Sequence, residues 1–465
     1  MTDRRRIHLI GIGGTGLSAI ARVLHARGWA VSGCDRNASP ALAALQALGI
    51  HAQVGHDPGH VTGVDMVLRS SAVPRSHPEV QAAQEAGVPV LTRRDFLPTL
   101  TAGYRTLAVA GTHGKTTTTA MLAWALHALG HDPTFILGGD VPPWGNARVG
   151  VGPWFVIEAD EYDGMFLGLR PQVAALTTLE YDHPDLFPTW EAYLDVFVAF
   201  AGQVQETLVV RADDPGIAAL RSRWTPRARV VTFALRGPAD YTAREVRALP
   251  ARGYAWTLRR PQGPDVPVQL AVPGRHNAAN AMAALAVLDQ LGLDVFAAAE
   301  ALGRFPGAGR RFTVVAEREG VVWVNDYAHH PTEIAATLAA ARERFPHRAL
   351  WAVWQPHTYS RTRALWDAFV SALQQADAVL VLDIYPAREQ PLPGVTGRAL
   401  AQAVAQAARA AQGPDPVAYA STLDEAAAYL AAHVRGPAAV LILSAGDAPQ
   451  VLQRLGLRPH SEVSA

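Results

Sequence analysis

Lysine is almost missing from this chain. Of its 41 basic side chains only Lys115 is a lysine and the other 40 are arginine, far from the usual mixture of the two. A background that replaces lysine wherever arginine serves marks its one survivor as standing where arginine does not fit. Cysteine is equally scarce. Cys34 alone excludes an internal disulfide framework and any multi-cysteine zinc site. Charge of one sign is not in excess. The 41 acidic side chains balance the 41 basic ones, and with no basic run this argues against a nucleic-acid or anionic-membrane partner. No apolar run approaches the roughly 18 residues that cross a bilayer, so no membrane insertion is expected. Residues 1–6 are charged and lead straight into a strand-like segment without the apolar core of a signal peptide. A soluble, cytoplasmic protein is the expectation.

What is there suffices for several cores: 49% of residues are hydrophobic and 18% charged, and the length suggests about three domains. The fold class expected is α/β in three domains, with boundaries at 1–102, 103–303 and 304–465. In the first, an apolar run at 7–10 is followed by Gly11-x-Gly13-x-x-Gly16. Leu17, Ile20, Ala21 and Leu24 then fall at helical spacing, and a second strand from Ala30 ends near Asp35. Strand, glycine turn, helix, strand and acid make a Rossmann-like unit. The second opens with a strand at 106–110 and the run Gly111-Thr112-His113-Gly114-Lys115-Thr116, then a helix over 119–129. Further strands are expected at 154–157 and 173–179. A β-rich stretch over 229–272 has its hairpin turn at Gly263-Pro264, and a helix over 277–291 follows it. The third alternates strands at 321–324, 349–353, 378–382 and 439–443 with helices such as 332–344 behind Pro331. Residues 458–465 are expected to fray.

The glycine turn at 11–16 matches a dinucleotide fingerprint, since N–H groups at a helix start hold a pyrophosphate. Asp35 lies 19 residues beyond Gly16, suited to a ribose hydroxyl, so a nicotinamide dinucleotide is the first reading, although any nucleotide diphosphate can use such a turn. Ser70 and Ser71, after a strand at 64–68, offer further hydroxyls, or are plain loop serines. The run at 111–116 is the stronger feature. Its N–H groups can wrap phosphates, Lys115 supplies a compact charge, and Thr116 a hydroxyl for Mg²⁺. A strict phosphate-loop pattern wants glycine at 109, where Val109 stands instead. The lysine carries the assignment, because a planar guanidinium does not replace an ammonium in a tight loop.

Glu158, Asp160, Glu161 and Asp163 cluster after the strand at 154–157. They are either a solvated turn or ligands for nucleotide-bound Mg²⁺, which takes one or two carboxylates. Asp182 and His183 close the next strand. In the third segment the stretches 325–331 and 355–363 place Asp326, His329, His330, His357 and Arg361 after strands, as binding loops of unstated partner. Taken together, ATP at the second segment, a diphosphate-bearing ligand at the first and something smaller at the third suit ATP-driven joining of two molecules better than hydride transfer.

At this level the chain resembles the Mur ligases over nearly its whole length. The resemblance rests on His8-Leu-Ile-Gly-Ile-Gly-Gly-Thr-Gly16, Gly111-Thr-His-Gly-Lys-Thr-Thr-Thr-Thr119, Glu158-Ala-Asp-Glu-Tyr-Asp163 and Asp182-His183. It continues through His276-Asn-Ala-Ala-Asn280, Gly309-Arg-Arg-Phe312, Asp326-Tyr-Ala-His-His-Pro-Thr-Glu333 and Gln355-Pro-His-Thr-Tyr-Ser-Arg361. It implies a Rossmann-like UDP-binding domain, an ATP-binding central domain with added β-hairpins, and a C-terminal Rossmann-like domain. It implies that L-alanine is joined through an acyl phosphate to the carboxylate of UDP-N-acetylmuramate in peptidoglycan precursor synthesis, by a monomer or weak homodimer.

Residue by residue, the resemblance implies phosphate contacts by Gly111, Thr112, His113, Gly114, Lys115, Thr116 and Thr117. One Mg²⁺ would sit on Thr116 and Glu158, a second near His183. Nucleoside contacts fall to Asn277, Asn280, Arg311 and Asp326, and the UDP end to Gly13, Gly14, Thr15, Asp35, Ser70 and Ser71. His329, His330, His357 and Arg361 would line the amino-acid side. Three positions depart from the family's usual pattern: Thr178 for asparagine, Asn325 for aspartate and Tyr162 for serine. Tyr162 turns the comparison toward the related murein peptide ligase, which adds a tripeptide to the same UDP-sugar. Several later-acting members use a carbamylated lysine at the second Mg²⁺, and this chain has no lysine for it.

Overall fold

A computed structural model describes residues 4–249 and 253–457; the fraying expected at 458–465 lies outside them. Three sheets organise the chain. The first has five parallel strands in the spatial order His51–Val54, Ala30–Asp35, Arg6–Ile10, Met66–Arg69, Val90–Thr92. Leu17, Ile20, Ala21 and Leu24 are the buried face of helix Thr15–Ala26, as their spacing requires. The order reverses on either side of Arg6–Ile10, and the glycine turn lies at that switch point, where open parallel sheets bind ligands.

The second sheet has ten strands. Seven run parallel, in the order Tyr241–Leu249, Arg229–Ala234, Thr207–Arg211, Val173–Leu176, Arg105–Ala110, Trp154–Glu158, Thr134–Val141. The phosphate loop follows Arg105–Ala110, near the middle. Antiparallel strands extend both edges. Gly253–Arg259 pairs with Val266–Leu270, the hairpin that the alternation around Gly263 predicts. At the other edge Gly145–Arg148 pairs with Thr134–Val141, a hairpin the sequence does not announce. Its Asn146 donates through Nδ2 to Thr15 O at 3.1 Å, so this edge packs on the first helix of the chain.

Two elements differ from the sequence expectation for a physical reason. The helix expected from 119 begins at Lys115. Thr116 to Thr119 are β-branched, poor helix formers, yet all four are buried, so packing overrides propensity. The strand expected to reach 179 stops at Leu176. Its continuation leaves the ladder to hold the phosphate loop, with Thr112 N donating to Thr178 O at 2.7 Å and His113 N to Thr178 Oγ1 at 3.2 Å.

The third sheet runs Thr313–Arg318, Val321–Asp326, Ala438–Leu443, Ala349–Trp354, Ala378–Leu382, Val417–Ala420, antiparallel only at the first pair. Its central strands are buried on both faces and read as continuous apolar runs. Its loops after Val321–Asp326 and Ala349–Trp354 face the phosphate loop of the second sheet.

Candidate active site

The phosphate loop is built by two glycines. Gly111 has φ +128° and Gly114 φ +78°, and a Cβ would collide with Thr177 Oγ1 at the first and with Asn280 Oδ1 at the second. Inside the turn the Lys115 ammonium donates to Gly111 O at 2.6 Å and Thr112 O at 3.1 Å, and to Glu161 Oε1 at 3.0 Å. Its side chain is 13% exposed and that of Glu161 fully buried. Burial alone lowers its pKa, but Glu161, with Asp160 and Glu158, more than reverses this, so the lysine stays charged. Helix Lys115–Ala128 starts here, adding its N-terminal N–H groups and dipole.

The acid cluster is only partly a solvated turn: Asp163 is exposed, Glu158 and Asp160 are half-buried and Glu161 is buried. Glu158 faces the loop, accepting from Gly138 N at 2.6 Å. Burial raises its pKa although Lys115, Gly138 N and the Thr116 hydroxyl pull the other way. Glu161 accepts from the Tyr193 hydroxyl at 3.1 Å as well as from Lys115. His183, at φ +55°, turns its Nε2 to 3.7 Å from Glu161 Oε1. Lys115, Thr116, Glu158, Asp160, Asp182, His183 and His329 share the wall of one cavity of about 300 Å³, which extends to Thr15 and Gly16 of the first glycine turn. All three sheets therefore contribute to it.

A second cavity, of about 140 Å³, adjoins it at Gly114, Arg311 and Glu333. Asn277, Asn280, Arg311, Asp326, His113 and Thr117 line it. Asn280 Nδ2 donates to Asn277 Oδ1 at 3.1 Å, and Asn277 Nδ2 to Pro273 O at 2.7 Å. Asp326 is already engaged by Phe312 N and Ala328 N, both at 2.9 Å, and burial pushes its carboxyl up to about 6. His113 bridges two sheets, donating to Glu180 from Nε2 and to Glu333 Oε1 from Nδ1 at 3.2 Å. Burial opposes its charge, but the two carboxylates win and push it up to about 10.

In the first domain Asp35 does not stand free. Its Oδ2 accepts from Gly13 N at 2.9 Å, so the acid fixes the glycine turn. Gly14 is the N-cap of helix Thr15–Ala26. Ser70 packs against Gly11, and Ser71 lines a small recess with Arg93, Arg94, Tyr162 and Asp163. The four residues expected on the amino-acid side split. His329 reaches the large cavity. His330 is buried, capping helix Pro331–Arg344, with Nδ1 3.1 Å from Glu180 Oε1. Arg361 is buried and bonded through Nε to Asp182 Oδ1 at 2.7 Å, clasping the third sheet to the second. His357 lies behind it, Nδ1 3.2 Å from Arg361 NH1, and burial pushes it down to about 3.

Two contributors, Glu333 and Arg93, escape a sequence reading that weighs only strand ends, and Glu161 is found there without its role. Glu161, not Glu158, is the counter-ion of the lysine. Glu333 meets His113, His329 and Arg311; its spacing three residues after His330 is a capping-box signal. Arg93 lies against Gly16 and 3.9 Å from Asp160 Oδ2, joining the first glycine turn to the acid cluster with no motif to announce it.

Three family descriptions match in order along the chain: "Mur ligase family, catalytic domain" at 6–105, "Mur ligase middle domain" at 154–288, and "Mur ligase, glutamate ligase domain" at 310–446. Among curated relatives, the UDP-N-acetylmuramate–L-alanine ligase of Kineococcus radiotolerans is 46% identical, with 97% of each chain covered. That of Halorhodospira halophila is 42% identical over 97% of this chain and 93% of its own. Among solved structures, a UDP-N-acetylmuramate-alanine ligase from Thermotoga maritima superposes with TM-score 0.81 at 29% identity, covering 97% of this chain and 99% of the other. A murein peptide ligase from Psychrobacter arcticus gives TM-score 0.73 at 25% identity, covering 97% and 98%.

Proposed function

The chain belongs to the Mur ligase family, and from that premise we propose that it joins L-alanine to the muramoyl carboxylate of UDP-N-acetylmuramate at the expense of ATP, a step of peptidoglycan precursor synthesis. One observation carries the reading: the only lysine of the chain sits in a phosphate loop facing buried carboxylates, in a cavity that also touches the first glycine turn and the third sheet. A nucleotide diphosphate, a triphosphate and an amine thus have separate walls around one space. The alanine-adding relatives are more similar than the tripeptide-adding structure, and a dehydrogenase leaves the phosphate loop unexplained.

A carboxylate is a poor acyl electrophile, so phosphoryl transfer from ATP first converts it to an acyl phosphate. The alanine amine then attacks the acyl carbon, and phosphate leaves from the tetrahedral intermediate. Lys115 and the loop N–H groups hold the terminal phosphates and stabilise the charge that develops on transfer. Arg311, at the junction of the two cavities, adds a second fixed cation. Asn277 and Asn280 form the nucleoside end with Asp326. The turn at Gly13, Gly14 and Thr15, with Ser70, Ser71 and the Asp35 that braces it, takes the UDP end. His329 lies on the amine side.

Mg²⁺ suits this donor set. Glu158 is half-buried and has no ion-pair partner of its own, because Lys115 is committed to Glu161 and the loop carbonyls. The Thr116 hydroxyl and Glu158 are hard oxygen donors of the kind Mg²⁺ takes beside phosphates, and His183 offers a further donor. The ion, when bound, screens the repulsion between the substrate carboxylate and the phosphate it attacks. The domain limits that fit this division of labour are 1–102, 103–303 and 304–465. Among the described residues no helix is long and apolar enough to cross a membrane, in keeping with small-molecule substrates, and we propose a cytoplasmic location.

The test is phosphate release by the purified chain with ATP, Mg²⁺ and UDP-N-acetylmuramate, supplied first with L-alanine and then with the free murein tripeptide. Release with alanine is expected. Release with the tripeptide alone would move the chain to the tripeptide-adding branch.

A further inference from the structure

Away from both cavities, four segments of the first domain bring metal-ligating side chains together. His8 lies on strand Arg6–Ile10, Cys34 on Ala30–Asp35, His60 in the short turn Pro58–Val61, and Glu79 in the first turn of helix Pro78–Glu85. One donor atom from each lies within 4.8 Å of all the others. His8, Cys34 and Glu79 are buried at 1%, 0% and 0% exposure.

Hydrogen counting shows what this cluster lacks. With the Ser32 hydroxyl donating to Ile7 O at 3.5 Å, it accepts from His8 Nδ1 at 2.9 Å, the tautomer a metal on Nε2 requires. That leaves His8 Nε2 as a bare lone pair, 3.4 Å from Cys34 Sγ. The same sulfur lies 3.2 and 3.1 Å from the two oxygens of Glu79 and 3.2 Å from His56 Nδ1. A thiol has one hydrogen and serves one of these acceptors. A dication at the common focus serves thiolate, imidazole and carboxylate together.

We propose that the first domain binds one Zn²⁺ ion through Cys34 Sγ, His8 Nε2, His60 Nδ1 and a Glu79 oxygen. A set of one sulfur, two nitrogens and one oxygen suits zinc, whereas Mg²⁺ and Ca²⁺ take oxygen alone. Zinc bonds of about 2.0–2.3 Å in a tetrahedron put ligand atoms roughly 3.3–3.8 Å apart. The sulfur's separations from His8 Nε2 and the Glu79 oxygens, 3.1–3.4 Å, lie within a few tenths of an ångström of that range. The shorter His60 Nδ1–Glu79 Oε1 contact, 2.6 Å, is held by a proton that the cation replaces. On binding, the His60 proton moves to Nε2 and the thiol proton leaves to solvent. Supporting partners are in place: Ser32 orients His8, and the Gln53 amide, 2.5 Å from His60 Nε2, orients His60 once it turns its oxygen to accept from Nε2–H. The Cys34 carbonyl accepts from Gly11 N at 2.8 Å and Ile12 N at 3.1 Å, so the ion braces the glycine turn from behind.

The experiment uses the full-length chain, stripped with chelator and titrated with Zn²⁺ or Co²⁺ alone. One zinc per chain retained through gel filtration is expected. The cobalt form is expected to show a near-ultraviolet thiolate-to-metal band that zinc abolishes and that Cys34→Ser lacks. Cys34 is the only cysteine, so no other cluster, including His113 with Glu180 and His330, can produce that band. Cobalt bound without it, or no ion retained, overturns the proposal and leaves a metal-free network around Glu79. Should Cys34→Ser not fold, the spectrum of the unaltered chain decides alone. Neither outcome depends on which reaction the cleft performs.

Discussion

Replacing Lys115 with arginine keeps the charge and removes the shape. The ammonium holds three acceptors in a compact arrangement: Gly111 O at 2.6 Å, Thr112 O at 3.1 Å and Glu161 Oε1 at 3.0 Å. A guanidinium is a planar fork. It can meet the Glu161 carboxylate side-on, but it cannot also reach two carbonyls of its own preceding turn. Two charge-assisted bonds of about 1.5–3 kcal/mol each are then at stake, partly offset by water, since the site is not sealed. The ammonium is also displaced from where phosphate charge develops. A missing transition-state donor costs about 3–4 kcal/mol, or roughly 10²–10³-fold in kcat. Lys115→Arg is therefore expected to lower kcat by about that factor and to lower the melting temperature less than Lys115→Met does, because the buried Glu161 keeps a cation. Lys115→Met serves as contrast. It strands a fully buried carboxylate and is expected to destabilise the fold by up to about 3–5 kcal/mol, less if Glu161 takes up a proton. Steady-state phosphate release, with thermal melts of both variants, reads the two effects separately. A kcat within about threefold of the unaltered enzyme for Lys115→Arg refutes the steric argument, and with it the reason given for the retained lysine.

Glu158→Gln is expected to lower turnover by about 10²-fold or more and to raise the Mg²⁺ concentration needed for half-maximal rate; an unchanged Mg²⁺ dependence removes Glu158 from the cation site. Arg361→Met leaves the buried Asp182 carboxylate without its partner, at a cost of up to about 3–5 kcal/mol. Adding Asp182→Asn is expected to restore the melting temperature but not the rate, and a double variant as unstable as the single one contradicts the pairing. The pH dependence of the junction follows from His113. Its folded pKa is raised from 6.5 to about 10, so its contribution is complete below about 6.5 and is lost as pH rises through about 10. Melting curves between pH 6 and 10.5 are expected to show falling stability in the unaltered chain and a flatter profile in His113→Asn; parallel profiles rule out the bridge.

The parts of this molecule written in local patterns are readable from the chain alone. Glycines at fixed offsets after a short apolar run place both turns, because positive φ and close backbone approach leave no other residue. The hairpin closing at Gly263 is legible in strict alternation. What depends on distant packing is not. Thr116 to Thr119 argue against helix locally and become helix because the sheet and helix Arg275–Gln290 bury them. The edge hairpin ending in Gly145–Arg148 has little apolar alternation, and its reason to exist is the helix it meets through Asn146. At the site, residue type and strand-end position reveal which groups gather, but not which of them pair. Glu158 and Glu161 look equivalent in sequence, and only burial and distance make one the partner of Lys115 and leave the other facing the cavity. Arg361 reads as a ligand contact, and only the structure shows that it also clasps two sheets through Asp182.

The want of a second lysine bears on His183. In a chain where Lys115 is spent on the phosphate loop, no lysine remains to be carbamylated beside a second cation, so on the proposed reading the imidazole must supply that donor. It has one lone pair when neutral. Arg361 NH2 approaches its Nδ1 at 3.4 Å, and a guanidinium only donates, so in this arrangement the hydrogen of the ring sits on Nε2, the nitrogen directed at Glu161. Offering Nε2 to a cation requires the other tautomer, whose Nδ1–H no longer accepts from Arg361. Arg361 can release His183 without leaving its place, since its Nε still holds Asp182 at 2.7 Å. The long contact to His183 is the one that yields. On the proposed reading, cation uptake at His183 therefore gives up one long Arg361 contact and leaves the Asp182 clasp in place, a choice of tautomer that a lysine ligand would not face.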